Sequence, residues 1–115
     1  MIKKTVVTYF KTTNESPIQD FLNSLEEIKQ AKVLRIFQYI TNYGLLSILP
    51  HIKKVTNTPL WEIRILGKDN IRIFYISTSE NLVLILHGFI KKKQKTPTKE
   101  IKIALGRLEK WNRYK

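Results

Sequence analysis

Residues 60–97 place arginines, a histidine and a row of lysines in or just after segments that are otherwise apolar. Arg64 and Arg72 interrupt runs of Ile, Leu, Phe and Trp, and a buried charge without a partner is costly. An arginine within a strand therefore needs an anionic partner or an open face. His87 follows near the end of a third apolar run. Four basic residues come directly after that run: Lys91, Lys92, Lys93 and Lys95. The pattern predicts a sheet with one face that binds anions.

The chemistry that these side chains permit is phosphodiester chemistry without a metal. Cysteine is absent, and two histidines with few carboxylates give no recognisable set of metal ligands. RNA supplies its own nucleophile, the ribose 2′-hydroxyl. An enzyme then needs only to remove its proton, neutralise the phosphate and protonate the leaving 5′-oxygen. Arginine suits the second task because its planar guanidinium binds two phosphate oxygens at once.

Length and composition fit one folded domain spanning residues 1–115. An apolar fraction of 43% is ordinary for a globular protein, and no run approaches the ~18 uninterrupted apolar residues of a membrane span. The basic start of the chain is not followed by an apolar stretch of signal-peptide length. We expect a cytoplasmic protein that needs no metal or cofactor and binds no membrane.

The net charge of +12 favours polyanionic partners. Residues 1–59 carry eight Lys or Arg and four Asp or Glu, whereas residues 60–115 carry thirteen and five. The positive excess therefore doubles in the half of the chain that holds the two strand arginines. A basic surface that serves only solubility is the alternative, but the clustering favours a binding face.

The start of the chain predicts a strand followed by a helix. Residues 6–10 form a β-branched and aromatic run, which is typical of a strand. Ser16 is a suitable N-cap, with Pro17 at the first helical position and Gln19 placed to complete a capping box.

A break at Glu26 and Glu27 precedes a second amphipathic helix, which Gly44 ends. The two helices form a hairpin that covers one face of a sheet. Residues 45–59 have no clear periodicity and predict a connecting loop, which carries Lys53 and Lys54.

Residues 60–66 alternate strictly between two faces of a strand. Trp61, Ile63 and Ile65 are predicted to pack on the helices, which leaves Glu62 and Arg64 on the opposite face.

Residues 67–70 predict a hairpin turn to a second strand that contains Arg72. A three-residue loop would put Arg64 and Arg72 on the same face, and a two-residue loop would put them on different faces. The sequence alone leaves this register open.

Residues 82–90 are almost continuously apolar, as expected for a central strand buried on both faces. Thr96 as N-cap and Pro97 at the first position then predict a final helix. The predicted order is βααβββα. The fold class is α+β, with an antiparallel-rich sheet packed against an N-terminal helical hairpin and a C-terminal helix.

Three segments carry a family resemblance, residues 60–64 (LWEIR), 71–75 (IRIFY) and 86–89 (LHGF), together with the basic run that leads to Pro97. In this spacing the chain resembles the phage-derived Gp49-like branch of the HigB toxins, within the RelE/ParE superfamily of toxin–antitoxin modules. The resemblance extends more weakly over nearly the whole chain, and it implies a RelE-like fold.

This resemblance implies a ribosome-dependent, metal-independent mRNA endoribonuclease that cuts translated mRNA in the ribosomal A site and so inhibits translation. It also implies a cognate antitoxin, a HigA-like helix-turn-helix protein. Two alternatives stay open: a non-catalytic basic module that binds RNA or the ribosome, and a ParE-like gyrase inhibitor on the same fold.

The family's basic strand positions fall on Arg64 and Arg72, and its basic position after the last strand falls on Lys91 or Lys92. We expect the arginines to stabilise the transition-state charge and Lys92 to assist the leaving oxygen. His87 could act as general base or acid, because its ordinary pKa lies nearest neutrality; the alternative is a histidine that only packs. The predicted RNA-binding residues are Lys53, Lys54, Lys91, Lys93 and Lys95.

Three further side chains receive mainly structural predictions. In the RelE branch, lysines occupy the strand positions of Glu62 and Arg64, so residue roles do not transfer wholesale. For Glu62 we favour a salt bridge to Arg64 or Lys54 over general-base work. Trp61 and Tyr75 are predicted to lie in the core.

Overall fold

The chain folds into an α+β structure in which helices and strands follow no regular order along the sequence. The computed structural model describes residues 4–65, 67, 70–78 and 81–114. Within these residues the strands are β1 (Val6–Tyr9), β2 (Ile52–Lys54), β3 (Trp61–Ile65), β4 (Ile71–Ser77) and β5 (Leu82–Ile90). The helices are α1 (Pro17–Ser24), α2 (Glu27–Tyr43), a 3-10 segment (Leu45–His51) and α3 (Thr98–Tyr114).

The five strands form one mixed sheet in the order β1-β5-β4-β3-β2. β1 runs parallel to β5, and the other pairs are antiparallel. β5 is buried along nearly its whole length, which confirms the prediction of a central strand. None of the helices in the described ranges is long and apolar enough to cross a membrane.

Two hydrophobic cores lie on opposite faces of the sheet. The helix-pair core is formed by α1, α2, the 3-10 segment and one sheet face: Ile18, Leu22, Leu25, Val33, Phe37, Ile40, Ile48, Ile63, Ile65, Ile71, Ile73, Tyr75, Val83 and Ile85. The α3 core lies on the other face: Phe10, Leu60, Phe74, Leu84, Leu86, Phe89, Ala104 and Leu108. The predicted packing of a helical pair and a C-terminal helix on the sheet is therefore confirmed.

Several local predictions were only partly correct. Residues 45–59 are not simply a loop, because they contain the 3-10 segment and the edge strand β2. Ser16 does occupy the N-cap position of α1, but its side chain makes no capping hydrogen bond. α3 begins at Thr98, just after the predicted Pro97. Short polar connections can take several conformations, so tertiary contacts decide them more than local sequence does.

Trp61 was predicted to lie in the core, but it is 37% exposed. It stands at the start of β3 and pairs across the sheet with Lys54 of the short edge strand β2. The Lys54 ammonium lies 5.6 Å from the centre of the indole ring, a cation–π distance. Tyr75, in contrast, is buried as predicted, and burial raises the pKa of its hydroxyl to about 12.

The register of the β3–β4 hairpin places Arg64 directly opposite Arg72. Pairing continues to Ile65 and Ile71 at the end of the hairpin, and Leu66, Lys68 and Asp69 of the connection lie outside the described residues. The same-face alternative is therefore the correct one. Both arginines lie on the face that carries the α3 core.

A bulge in β5 changes which side chains reach α3. The register between β4 and β5 shifts between Phe74, which pairs with His87, and Tyr75, which pairs with Ile85. The extra residue, Leu86, lies in the α3 core next to His87, although strict alternation would put these neighbours on opposite faces. Gly88 then returns to the helix-pair side, under Phe21.

This packing makes a matched pair of glycine substitutions informative. A Cβ atom on Gly88 would lie 2.5 Å from Cδ2 of Phe21, whereas one on Gly106 of α3 would meet nothing within 4 Å. We expect Gly88→Ala to lower the free energy of unfolding by about 1–3 kcal/mol through overpacking. Gly106→Ala should raise it by up to about 1 kcal/mol through helix propensity. Urea unfolding of both variants measures the difference, and equal stabilities would contradict the described packing.

Candidate anion-binding cleft

A small cleft opens on the α3 face of the sheet, beyond the part that α3 covers. The cleft has a volume of about 300 Å³. Its cationic residues come from three places in the chain: Lys53 and Lys54 of β2, Arg64 and Arg72 of β3 and β4, and Lys91 and Lys95 after β5. Its other lining residues are Val55, Thr56, Glu62, Thr96 and Ile101. Among the residues that the structure describes, six cations therefore share the cleft with one carboxylate.

The two arginines form the floor of this cleft. They face each other across β3 and β4, an arrangement that is unfavourable for like charges without an anion between or beside them. Glu62 supplies part of this compensation, because its Oε1 atom lies 3.7 Å from Nε of Arg72. Both partners are almost fully buried. The predicted salt bridge of Glu62 therefore exists, but its partner is Arg72 and not Arg64 or Lys54.

Glu62 does not satisfy the hydrogen-bonding groups of the two arginines. The Nε atoms of Arg64 and Arg72 are both buried and have no hydrogen-bond partner among the described residues. One terminal nitrogen of Arg72 donates to the carbonyl of Ile71 at 3.1 Å. A buried N–H donor without an acceptor costs about 1–3 kcal/mol, and more when it is charged. An anion in the cleft would add negative charge beside both guanidinium groups, which Glu62 compensates only in part.

The lysine-rich segment after β5 forms one wall of the cleft. The backbone N–H of Lys91 donates to the carbonyl of Asn70 at 2.8 Å, which ties this segment to the end of the β3–β4 hairpin. Lys91 and Lys95 line the cleft. Lys92 and Lys93 are exposed and do not line it. Of the predicted cations after β5, the structure thus brings two to the arginines and leaves two on the outer surface.

Lys53 and Lys54 form the opposite wall. Lys53 pairs with Glu62 across the β2–β3 ladder, which places it on the same face as the arginines. The ammonium of Lys54 donates to the carbonyl of Thr58 and also approaches that of Leu60 at 3.4 Å. Lys54 is therefore partly held by its own hairpin, whereas Lys53 is exposed and free to meet a ligand.

His87 lies outside the cleft, underneath α3. Its Nε2 atom is 2.7 Å from Oε1 of Glu100, and its Nδ1 atom is 3.0 Å from NH1 of Arg107. Because a guanidinium can only donate, Nδ1 accepts and Nε2–H donates to Glu100, which fixes the neutral tautomer. The ring also stacks on Phe89, with centroids 5.6 Å apart. Both ring nitrogens are thus engaged, and His87 is not placed beside the arginines.

Sequence reasoning missed the two charged residues of α3 that hold His87. Glu100 and Arg107 are seven positions apart, so they lie on the same face of α3 as Ala104 of the core. Arg107 also donates to the carbonyl of Leu86 at 2.9 Å. A charged pair within an apolar helical stripe was the available signal. It indicates a buried polar partner on the sheet, and His87 is that partner.

The fold and the cleft together define a class of basic α+β protein with a cationic site on one sheet face. Comparison with family models adds the identification. Residues 20–109 match the model of the phage-derived protein Gp49-like family (DUF891), so the chain belongs to this family. The predicted Gp49-like resemblance is confirmed.

The Gp49-like family is associated with toxin–antitoxin systems, and membership points to an antitoxin as a partner. A search of curated proteins found no significant match to the chain.

The position of His87 predicts a specific pH dependence of stability. Burial lowers the pKa of His87 below the ordinary value of 6.5, although the hydrogen bond to Glu100 acts in the opposite direction. The unfolded chain therefore takes up this proton at a higher pH than the folded chain. The stabilisation is fully present above about pH 6.5 and is lost as the pH falls from there through the lower folded pKa.

We expect His87→Gln to reduce the slope of unfolding free energy against pH between about pH 7.5 and 5.5. Urea unfolding at several pH values measures this slope. Lys102→Ala, an exposed change on α3, serves as the control and should keep the original slope. A His87→Gln slope equal to that of the unchanged protein would show that burial of this imidazole does not control the effect.

Proposed function

We propose that this chain is the toxin of a type II toxin–antitoxin module and that its cleft binds one scissile phosphate of mRNA. The activity we propose is a metal-independent endoribonuclease that acts on mRNA in the ribosomal A site and so inhibits translation. One observation carries the proposal: Arg64 and Arg72 face each other on the cleft, and their buried Nε–H groups make no hydrogen bond among the described residues. Membership of a family associated with toxin–antitoxin systems supports the same conclusion.

The proposed reaction uses the ribose 2′-hydroxyl as nucleophile. Its oxygen attacks the adjacent phosphorus, a new P–O2′ bond forms and the P–O5′ bond breaks, which leaves a 2′,3′-cyclic phosphate and a 5′-hydroxyl. Negative charge builds up on the non-bridging oxygens as this happens. Two guanidinium groups fixed in the cleft stabilise that charge without reorganisation. The proton of the 2′-hydroxyl ends on the departing 5′-oxygen.

The lysines have distinct roles in this proposal. Lys91 and Lys95 line the cleft beside the arginines, so one of them is the cation that assists the leaving 5′-oxygen. The sequence assigned this role to Lys92, whose side chain is exposed beyond the cleft. Lys53 on the opposite wall, together with exposed Lys93, binds neighbouring phosphates.

We assign Glu62 a positioning role. Its side chain is only 7% exposed, and the carboxylate Oε1 lies 3.7 Å from Nε of Arg72. This contact holds the guanidinium on the cleft floor and reduces its repulsion with Arg64. A general base must lie within hydrogen-bond distance of the proton that it removes. The buried carboxylate of Glu62 instead contacts Arg72, which favours the positioning role.

The composition of the cleft favours dependence on the ribosome. Base recognition in single-stranded RNA uses aromatic stacking and hydrogen bonds to base edges. The described lining consists mostly of cationic side chains, which contact phosphates but do not distinguish bases. A ribosome that holds the mRNA in a fixed conformation would provide the positioning that this cleft lacks.

A second candidate function is a non-catalytic module that binds RNA or the ribosome. The position of His87 favours it, because both ring nitrogens bind α3 residues and the described cleft lining contains no histidine. Such a module would keep the affinity for phosphates and its steep dependence on salt, but would not break the RNA chain.

Substitution of the arginines tests the proposed activity. We expect expression of the unchanged protein to arrest growth, and Arg72→Ala and Arg64→Ala to relieve the arrest. Loss of transition-state stabilisation should lower the rate of mRNA cleavage in a translating extract by about 10²- to 10³-fold. Arg35→Ala removes an exposed cation of α2 outside the cleft and should retain full activity.

Circular dichroism must show that the arginine variants remain folded. Full toxicity of both would contradict the assignment of the site. RNA binding that weakens in these variants, without cleavage of mRNA by the unchanged protein, would establish the second candidate instead.

A further inference from the structure

A second groove lies at the opposite end of α3 from the arginine cleft. It has a volume of about 600 Å³. Its lining combines three aromatic residues, Phe10, Trp111 and Tyr114, with two lysines, Lys11 and Lys110. The described lining contains no carboxylate. We call this site the aromatic groove, and the proposed cleavage chemistry uses none of its residues.

The three rings of the aromatic groove differ in their exposure. Phe10 is buried in the α3 core, so it closes the bottom of the groove. Trp111 packs on the edge of that core and is partly exposed. Tyr114, in the last turn of α3, is 78% exposed. Among the described residues, neither Trp111 nor Tyr114 stacks on another aromatic ring. The exposed surface of both rings is therefore available to a planar ligand.

The charges around the aromatic groove favour an anion. Lys11 and Lys110 are both exposed. The carboxylates nearest to them in sequence, Glu15 and Glu109, each interact with an arginine. The positive charge of the two lysines is therefore not balanced within the lining, and an anionic ligand would meet complementary charge.

The combination of aromatic rings and lysines suits a nucleotide. Every base has a flat π-face that can stack on an aromatic side chain, and the adjacent phosphate can bind a lysine. Thr12 and Thr13 also line the groove, and their hydroxyls can bond to a base edge or a ribose. A protein partner is a poorer occupant, because lysine is depleted in the cores of protein interfaces.

A basic stripe runs along α3 towards the aromatic groove. Lys102, Gly106, Lys110 and Arg113 are three or four residues apart, so they share one face of the helix, and all four are exposed. At Gly106 even an added Cβ atom would meet nothing within 4 Å, so a ligand can approach the backbone there. The stripe thus offers cations and open space to a strand that extends from the groove along α3.

The aromatic groove and the arginine cleft are close enough for one RNA strand to occupy both. A helix rises about 1.5 Å per residue, so Ile101 in the cleft wall and Trp111 in the groove are about 15 Å apart along α3. A stacked strand rises about 3.4 Å per nucleotide, so eight nucleotides span about 24 Å. A strand held at both sites gains affinity, because its second contact is intramolecular.

We propose that the aromatic groove is a second RNA-binding site, in which unpaired bases stack on Trp111 and Tyr114 while Lys11 and Lys110 contact the adjacent phosphates. The bound nucleotides belong to the same strand whose scissile phosphate lies in the arginine cleft. The identification of this strand as mRNA rests on the proposed function, whereas the stacking does not depend on cleavage. Because stacking accepts any base, the site adds affinity without sequence preference.

Fluorescence of Trp111 tests the proposed stacking directly. The chain has two tryptophans, so Trp61→Phe leaves Trp111 as the single indole. The probe is an uncleavable 2′-O-methyl octauridylate, compared with an abasic octamer of the same charge. We expect octauridylate to quench the emission of Trp111, because a stacked base contacts the indole. The abasic octamer should bind more weakly and leave the emission unchanged.

Tyr114 provides a matched pair of variants at an exposed ring, where substitution does not disturb the core. Tyr114→Ala should weaken octauridylate binding about fivefold or more, because it removes a stacking surface. Tyr114→Phe keeps the ring and should bind as the unchanged protein does. Lys11→Ala should weaken binding and make its salt dependence less steep, since one phosphate contact is lost. Arg35→Ala, an exposed change outside both sites, should alter neither property.

Calorimetry determines whether the two sites share a strand. We expect one octauridylate per protein molecule. Two per molecule would place separate strands in the cleft and the groove and would overturn the proposal of a shared strand.

Three outcomes would overturn the groove as an RNA site: binding of octauridylate without quenching of Trp111, equal binding by Tyr114→Ala and Tyr114→Phe, or equal quenching by an acidic peptide. The last would assign the groove to a protein partner. None of these measurements requires cleavage. A protein that shows the quenching but does not cut mRNA would lose the proposed nuclease activity and retain the aromatic groove as an RNA site.

Discussion

The pairing of Arg64 with Arg72 across β3 and β4 is the constraint on which the rest of the functional surface depends. Two guanidinium groups at adjacent positions repel each other, and burial of their Nε atoms strengthens the requirement for an anion. Glu62 meets part of this requirement from within the fold. The positive charge that Glu62 leaves uncompensated can bind a ligand. A phosphate suits this site, because its oxygens match the charge and planar geometry of the guanidinium groups.

The α3 face of the sheet is divided between structure and function. α3 covers the half that contains Phe74, Phe89 and His87, and the other half stays open around the arginines. The bulge in β5 and the Glu100–His87–Arg107 hydrogen bonds fix α3 in this position. Because Thr96 and Ile101 at the start of α3 line the cleft, the buried histidine network also sets the position of the cleft wall.

Patterns with a strong physical cause allowed most of the fold to be predicted. Helical stripes, the alternation in residues 60–66 and the apolar run of β5 each reflect burial, which dominates folding. The hairpin register could not be predicted, because two loop lengths were equally compatible with residues 67–70. The β5 bulge was also hidden, since it depends on packing between three elements. That bulge turns His87 towards α3. The alternation of side chains along a regular strand could not indicate this orientation.

A single measurement addresses the central claim that the two arginines form one phosphate site. Arginine Nε–H resonances, assigned through Arg64→Lys and Arg72→Lys, can be followed by NMR while a 2′-O-methyl RNA trinucleotide is added. This probe carries the phosphate but cannot be cleaved, because its 2′-oxygen is blocked. The account predicts that both Nε–H resonances shift with the same saturation curve and that each variant weakens binding at the other arginine. Independent curves, or a shift at only one arginine, would contradict it.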